Sequence, residues 1–243
     1  LLEKKARIPV RRIEAGMPVA ADAIYIPPSD CDAIVEDRTF RLQKRPEKSE
    51  LHMPVDLFLR RLADDVGDLS ACVILSGTGT DGTQGLRKIK EKAGLAMVQS
   101  PDSAWHPGMP QSAIDTGLAD FVLPPQEMPE RLVNYFRHPA AIFPKREAKK
   151  KEADPLKQIL RFLAQRTRHD FSFYKENMLI RRIERRMTVT RCENAPEYLK
   201  LLHREDKEVR ALFQDLLIAV TNFFRDPDAF AFLKQKILPE LVA

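Results

Sequence analysis

Cysteine is scarce in this chain of 243 residues: Cys31, Cys72 and Cys192 are odd in number, widely spaced and include no C-x-x-C pair. A disulfide framework and a cysteine-bound zinc site are both disfavoured, no metal centre is expected, and a reducing cytoplasm is the expected setting. Long apolar runs are also missing. None approaches the roughly 18 residues that a membrane span needs, and no basic-then-apolar signal opens the chain, so a soluble protein that is not integral to a membrane is expected. There is no internal repeat, and the only low-complexity tract is a short charged one. The chain begins at Leu1 without a methionine, which suggests a piece of something longer. An excess of one charge is likewise lacking: the formal balance is +5 with 31% charged residues. With both signs mixed along most of the length, whole-protein steering toward nucleic acid is a weak inference, and a local basic patch is the better question.

What is present is a 44% hydrophobic composition, enough to bury a core, arranged in two unlike parts. From Ala23 to Val122, short β-prone runs ("AIYIP", "CVIL", "LAMVQ", "FVL") alternate with amphipathic stretches such as "VDLFLRRLADD" and "MPERLVNYF". That alternation implies a largely parallel, helix-covered sheet, and "AIVEDRTFRLQ" adds a hairpin. Then "PKREAKKKEADP", nearly free of apolar residues, reads as a linker. Beyond it strand signals vanish. Asp154-Pro155 and Asp226-Pro227 each place a capping acid before a proline at the first helical position. Leu156, Ile159, Leu160 and Leu163 form one helical stripe, and Val209, Leu212, Phe213, Leu216, Leu217 and Val220 another, so the second part is all-helical.

The stretch "ACVILSGTGTDGTQGLRKI" carries the first candidate chemistry, because Gly77, Gly79 and Gly82 spell G-x-G-x-x-G between a strand and a helix. A P-loop is excluded, since lysine would have to stand where Thr83 does. A dinucleotide loop fits better, with Asp102 as the ribose-binding acid about 20 residues on. Against it stands Asp81, whose carboxylate would meet the pyrophosphate at the helix N-terminus. Like charges ~4 Å apart repel by about 4 kcal/mol at an effective dielectric near 20. A helix N-terminus also stabilises an ionised carboxylate, which suits an Asp that must stay charged or one that only caps the following helix.

"VILSGTGTDGTQGL", followed by "MVQSPDSAWHPGMPQSAIDTGLADFVLPPQEMPE", resembles the C-terminal half of the CheB protein-glutamate methylesterase domain, with its G-M-G-x-D-G-A-x-G loop and its downstream G-M-P-x-x-A-I-x-x-G segment. "IPVRRIEAGMPVAADAIYIPPSD" and "HMPVDLFLRRLA" match the preceding segments, so the resemblance runs from Leu1 to about Pro139. It implies a parallel α/β sheet and a Ser-His-Asp triad in which Asp81 is the catalytic acid that orients the histidine. Thr78 stands where the family has a methionine whose backbone N–H helps to form the oxyanion hole. The family's Ser and His both precede the matching segment, and none of the eight serines here sits in a G-x-S turn. His52 leads into a helix, and His106, beside the lone Trp105, has no triad role in the family pattern.

In the helical part, "YKENMLIRRIERRM" holds the local basic patch. Ile180, Ile183 and Met187 share one face, while Lys175, Arg182 and Arg186, broadened by Arg181 and Arg185, make another. Guanidinium pairs bidentately with carboxylates, and no aromatic interleaving is present for base stacking, so an acidic protein partner is favoured over nucleic acid. "DPLKQILRFLAQRTRHDFSFYKENMLIRRIERRM", "APEYLKLLHRE" and "FQDLLIAVTNFFRDPDAFAFLKQKILPEL" resemble the N-terminal helical domain and linker of CheR, the chemoreceptor glutamate methyltransferase. The resemblance implies that Thr221 and Arg225 of the T-x-F-F-R element contact S-adenosylmethionine and that the Arg181, Arg182, Arg185 and Arg186 region faces the receptor's glutamate-rich helix. A further family asparagine aligns with Ala219, and the methyltransferase's own sheet would follow Ala243. The expected layout is a partial methylesterase domain at 1–140, a linker at 141–154, a helical domain at 155–222 and the start of a methyltransferase domain at 223–243. It implies a CheB–CheR fusion acting on a methyl-accepting chemoreceptor, the chain alone being inactive; the alternative is a non-catalytic scaffold that binds an acidic receptor helix.

Overall fold

The computed structural model describes residues 3–45, 52–137 and 155–218. The expected linker, and Thr221, Arg225 and the Asp226-Pro227 helix start, lie outside the described residues.

The first part is α/β. Strands β1 (Val10–Arg12) and β2 (Ile24–Ile26) pair in parallel, and β3 (Cys31–Glu36) and β4 (Thr39–Lys44) form the expected hairpin. Its two-residue turn, Asp37-Arg38, has φ of 51° and 56°, the doubly left-handed geometry that matches strand twist. A three-stranded parallel sheet follows in the order β5 (Ala71–Ile74), β6 (Leu95–Gln99), β7 (Phe121–Leu123). Central β6, "LAMVQ", is buried along its whole length, as a strand covered on both faces must be. Helices α1 (Pro54–Val66), α2 (Thr83–Glu91), α3 (Gly108–Asp115) and α4 (Met128–Arg137) flank it. Leu86, Ile89, Val98 and Ala113 fill the core between α2, α3 and the sheet.

The second part is helical throughout its described residues: α5 (Pro155–Thr167), α6 (Glu176–Thr190), α7 (Ala195–Arg204) and α8 (Asp206–Leu217). Asn194 caps α7 by accepting the Glu197 N–H at 2.9 Å, and Glu197 reaches back to the Glu193 N–H at 2.9 Å, so two orphan donors are satisfied. The two expected stripes, apart from Leu217 and from Val220, which lies outside the described residues, meet in one core around Ile159, Leu163, Ile183, Met187, Tyr198, Leu202, Leu212 and Leu216, all fully buried.

The two parts share a seam. Val189 of α6 packs into the apolar cluster of Leu95, Met97 and Met128 at the start of the sheet, and Ile218 touches the cluster around Leu86. The helical module therefore sits against the amino ends of β5, β6 and β7, the edge opposite the one at which ligands bind in open α/β sheets. Because Ile183 is fully buried on α6, Ile183→Ala is expected to cost about 2–5 kcal/mol in urea denaturation, whereas the same change at exposed Arg166 should cost under about 0.5 kcal/mol.

Candidate functional site

The carboxyl edge of the sheet is built by two loops that hold each other. After β5, residues 75–82 run to the start of α2; after β6, residues 100–107 run to α3. Gly77 N–H donates to the His106 carbonyl at 2.9 Å, Met109 N–H returns a bond to the Gly77 carbonyl at 2.9 Å, and His106 N–H donates to Ser76 Oγ at 2.8 Å. Gly77 suits that closeness, since a Cβ there would lie 2.3 Å from Met109 Sδ and the methionine side chain would have to shift. Gly82 has φ of +92°, and a Cβ there would press to 2.7 Å from Ile74. The spaced glycines thus answer to packing and to a left-handed turn.

Asp81 lies partly buried at this edge, and it does not cap the helix that follows it. Its carboxylate accepts N–H bonds from Val55 at 3.0 Å and Asp56 at 2.9 Å, in the first turn of α1. The reason is local chemistry. The N-cap of α1 is Met53, which has no acceptor, and its first turn would otherwise present orphan donors. Helix α2 has the complementary defect, with Gly82 at its N-cap. Asp56 cures it: its carboxylate accepts the Gly85 N–H at 2.7 Å and faces the Gln84 and Gly82 amides. Burial, with Asp81 as a nearby like charge, raises the Asp56 pKa despite these bonds.

This crossed arrangement decides between the readings of the glycine loop. The N-terminus of α2, where a pyrophosphate would rest, is filled by Asp56. Asp102 belongs to an exposed 3-10 turn over Pro101–Ser103. Each Asp81 oxygen has one bond to α1 and a second lone pair to offer, so the carboxylate is anchored and able to accept a further N–H. No histidine among the described residues bonds it: His52 Nε2 lies 2.8 Å from both Asp32 carboxylate oxygens, and His106 joins the site through its backbone. Thr78 is exposed on the same loop, directly before Gly79, which like Gly82 has a left-handed backbone.

The basic face of α6 requires a correction. Arg182, Arg185 and Arg186 were expected to face an outside partner, but all three are buried in the seam. Arg182 donates to the Lys90 and Glu91 carbonyls, each at 2.5 Å, and Arg185 donates to the Gly94 carbonyl at 3.0 Å and to the carboxylates of Asp120 and Asp215. Arg186 takes Glu208 bidentately, at 2.9 and 2.5 Å, and reaches Asp120 at 3.3 Å. Tyr198 donates to the same Glu208 at 2.7 Å. Arg181, half-exposed, reaches the Lys92 carbonyl and Asp68. Lys90 completes the cluster, 2.8 Å from Asp120 and 2.9 Å from Asp215. No local pattern signals this use, because the partners of the arginines stand between 22 and 92 positions away.

The fold and this edge define a class: a parallel α/β half with an aspartate anchored at the carboxyl end of its sheet, joined to a module that is helical throughout its described residues. Residues 1–132 match the CheB methylesterase family and residues 154–217 the all-alpha domain of CheR methyltransferases, so the chain belongs to the CheB methylesterase family and is a fusion of the two. An uncharacterized 104.1 kDa protein of Rhodobacter capsulatus is 34% identical over the whole chain, which covers 28% of that protein. A protein-glutamate methylesterase/protein-glutamine glutaminase of Pyrococcus horikoshii is 31% identical over 54% of this chain and 37% of its own length. The CheB methylesterase catalytic domain of Thermotoga maritima aligns at 31% identity with a TM-score of 0.49, over 54% of this chain and 72% of that one. The chain thus spans about a third of the length of these two curated relatives.

Two outcomes are expected. NAD, NADP and FAD should leave the thermal midpoint unmoved, because the α2 N-terminus already holds a carboxylate; a shift of several degrees with any of them would revive the dinucleotide loop. In the seam, burial acts to raise the Asp120 and Asp215 carboxyls, but Arg185 and Lys90 outweigh it and hold both below their ordinary 3.8. A depressed carboxyl contributes stability above its unfolded pKa and loses it as pH falls through the folded one, so this contribution is constant down to about pH 4 and declines below. Asp120→Asn should cost about 3–5 kcal/mol at pH 7 in urea denaturation and make the acid limb shallower.

Proposed function

We propose that the chain is the junction of a protein that removes and adds methyl groups on receptor glutamates in chemotaxis-type signalling. The observation that carries this reading is Asp81, anchored on α1 by two amides at the carboxyl edge of the sheet, with the Gly108-Met109-Pro110 segment fastened to the same loop. In the esterase half, Asp81 accepts the imidazole N–H of a histidine and fixes its tautomer. The other ring nitrogen then takes the proton of a serine as it attacks the glutamyl methyl ester, and Asp81 stabilises the imidazolium. Collapse of the tetrahedral intermediate releases methanol, and water hydrolyses the acyl-enzyme to the free glutamate. In this reading the loop amides near Thr78 receive the developing oxyanion. The second activity in the Pyrococcus relative's name, glutaminase, asks the same acyl chemistry of a glutamine amide.

The methyltransferase half enters this reading through its all-alpha domain, with Thr221 and Arg225 assigned to S-adenosylmethionine by resemblance alone. The cofactor would supply the methyl group. A chemoreceptor is the proposed partner, and a cytoplasmic location suits it; no helix among the described residues is long and apolar enough to cross a membrane.

Hydrolysis of a methyl-esterified glutamyl peptide tests the esterase half. The 243-residue chain alone is expected to show no turnover, since an orienting acid supplies no nucleophile. In a longer protein that also carries the serine and histidine, Asp81→Asn should lower kcat by about 10⁴-fold. Turnover by the short chain, abolished by Asp81→Ala, would mean that the nucleophile lies within it; full activity of Asp81→Asn in the longer protein would remove Asp81 from the triad, and absence of turnover by the unaltered longer protein would favour the scaffold alternative.

A further inference from the structure

The last carbonyls of a helix lack intrahelical partners, and together they carry about half a negative charge. At the carboxyl end of α2, the carbonyls of Lys90, Glu91, Lys92 and Gly94 each accept an N–H from an arginine of α6. Asp120 and Asp68 flank them and pair with Arg185, Arg186 and Arg181. To α6 this surface offers carbonyl and carboxylate acceptors matched to guanidinium groups one turn apart. A helix carrying carboxylates at one-turn spacing would offer the same chemistry.

The four arginines depend on this surface unequally. The partners named for Arg181 and Arg182 lie in the esterase-like half; Arg185 divides its bonds between Asp120 and Gly94 there and Asp215 on α8; Arg186 keeps Glu208 of its own module. Separation of the modules would therefore free Arg181 and Arg182 completely and Arg185 in part. Burial pulls the Arg182 pKa down to about 10, still well above neutrality, so the group stays a cation in the seam. The seam also opens to solvent in a cleft of about 750 Å³ lined by Glu91, Ala93, Lys175, Met178, Arg181 and Arg182, where an incoming chain would first meet the basic face.

We propose that the carboxyl end of α2, with Asp120, is the resident ligand of the α6 arginines, so that docking of the two modules and capture of an outside acidic helix by α6 exclude each other. The carboxyl edge of the sheet, with Asp81, stays open in both states because docking takes place at the amino edge. The inference rests on the seam contacts and not on either proposed enzymatic activity.

Calorimetry of the full chain tests it, with a helical peptide bearing glutamates one turn apart as the probe, at 0.1 M salt. The wild-type protein should bind weakly. Asp120→Arg, which sets another cation beside Lys90, Arg185 and Arg186, should bind at least 10-fold more tightly while circular dichroism shows the helices retained. A second variant, Gly117→Arg, leaves the charged cluster intact and drives a long side chain into the seam beside Gln214, whose amide already lies 3.3 Å from where a Cβ at Gly117 would stand; it should gain affinity likewise. In the wild type, saturating peptide should speed hydrogen exchange at residues 90–96, where α2 loses its cap. Peptide binding that leaves exchange at 90–96 unchanged would overturn the proposal, as would absence of binding by all three proteins. Preference of the undocked variants for duplex DNA over the peptide at matched salt would also overturn it.

Discussion

Asp120 is a fully buried carboxylate that touches three cations, Lys90 from its own module and Arg185 and Arg186 from the other, while it also accepts the Ala96 N–H at 2.9 Å. An isolated charge at that depth would cost many kcal/mol in lost hydration, and it is tolerable only because each oxygen is surrounded by donors. The consequence spreads in both directions. Toward the sheet, the Ala96 bond ties the cluster to the start of β6. Toward the helices, Arg185 and Arg186 carry it on to Asp215, Glu208 and Tyr198, in the middle of the helical core. The relative placement of the two modules thus depends on one polar cluster bordered by the apolar contacts of Val189 and Ile218.

Such a cluster contributes more to specificity than to net stability. A hydrophobic seam of equal size would tolerate sliding, whereas guanidinium forks accept only acceptors at set distances and angles. The capping of α2 by arginines adds a second directional constraint, since only the free carbonyls of a helix end can accept so many bonds at once.

At the opposite edge of the sheet the same electrostatic device appears with the sign reversed. Helices α1 and α2 begin without useful caps of their own, at Met53 and Gly82, and each receives a carboxylate from the other: Asp81 for α1 and Asp56 for α2. The exchange locks the two helix starts together and leaves Asp81 at the carboxyl edge with accepting capacity to spare. The polar seam at one edge and the anchored acid at the other are separated by the length of the strands, so the helical module can be held firmly without covering the esterase edge.

Much of this was determined by the sequence alone. Periodicity separated the α/β part from the helical part, Asp37-Arg38 lay in the expected hairpin turn, and the strands "CVIL", "LAMVQ" and "FVL" and the stripes of α5 and α8 are local patterns that burial obeys. The motif spacing around Asp81 likewise pointed to the family that the matches show. What only the tertiary structure decided are the partners of charged groups. A carboxylate next to a helix start reads as that helix's cap, yet Asp81 bonds amides 25 and 26 positions earlier. Four arginines in six residues read as a solvated or partner-binding face, yet three of them are buried against Lys90, Gly94 and Asp120. Burial of apolar residues follows from periodicity within one element, whereas the partner of a charge depends on which distant acceptors the fold brings within about 3 Å, and no local pattern encodes that distance.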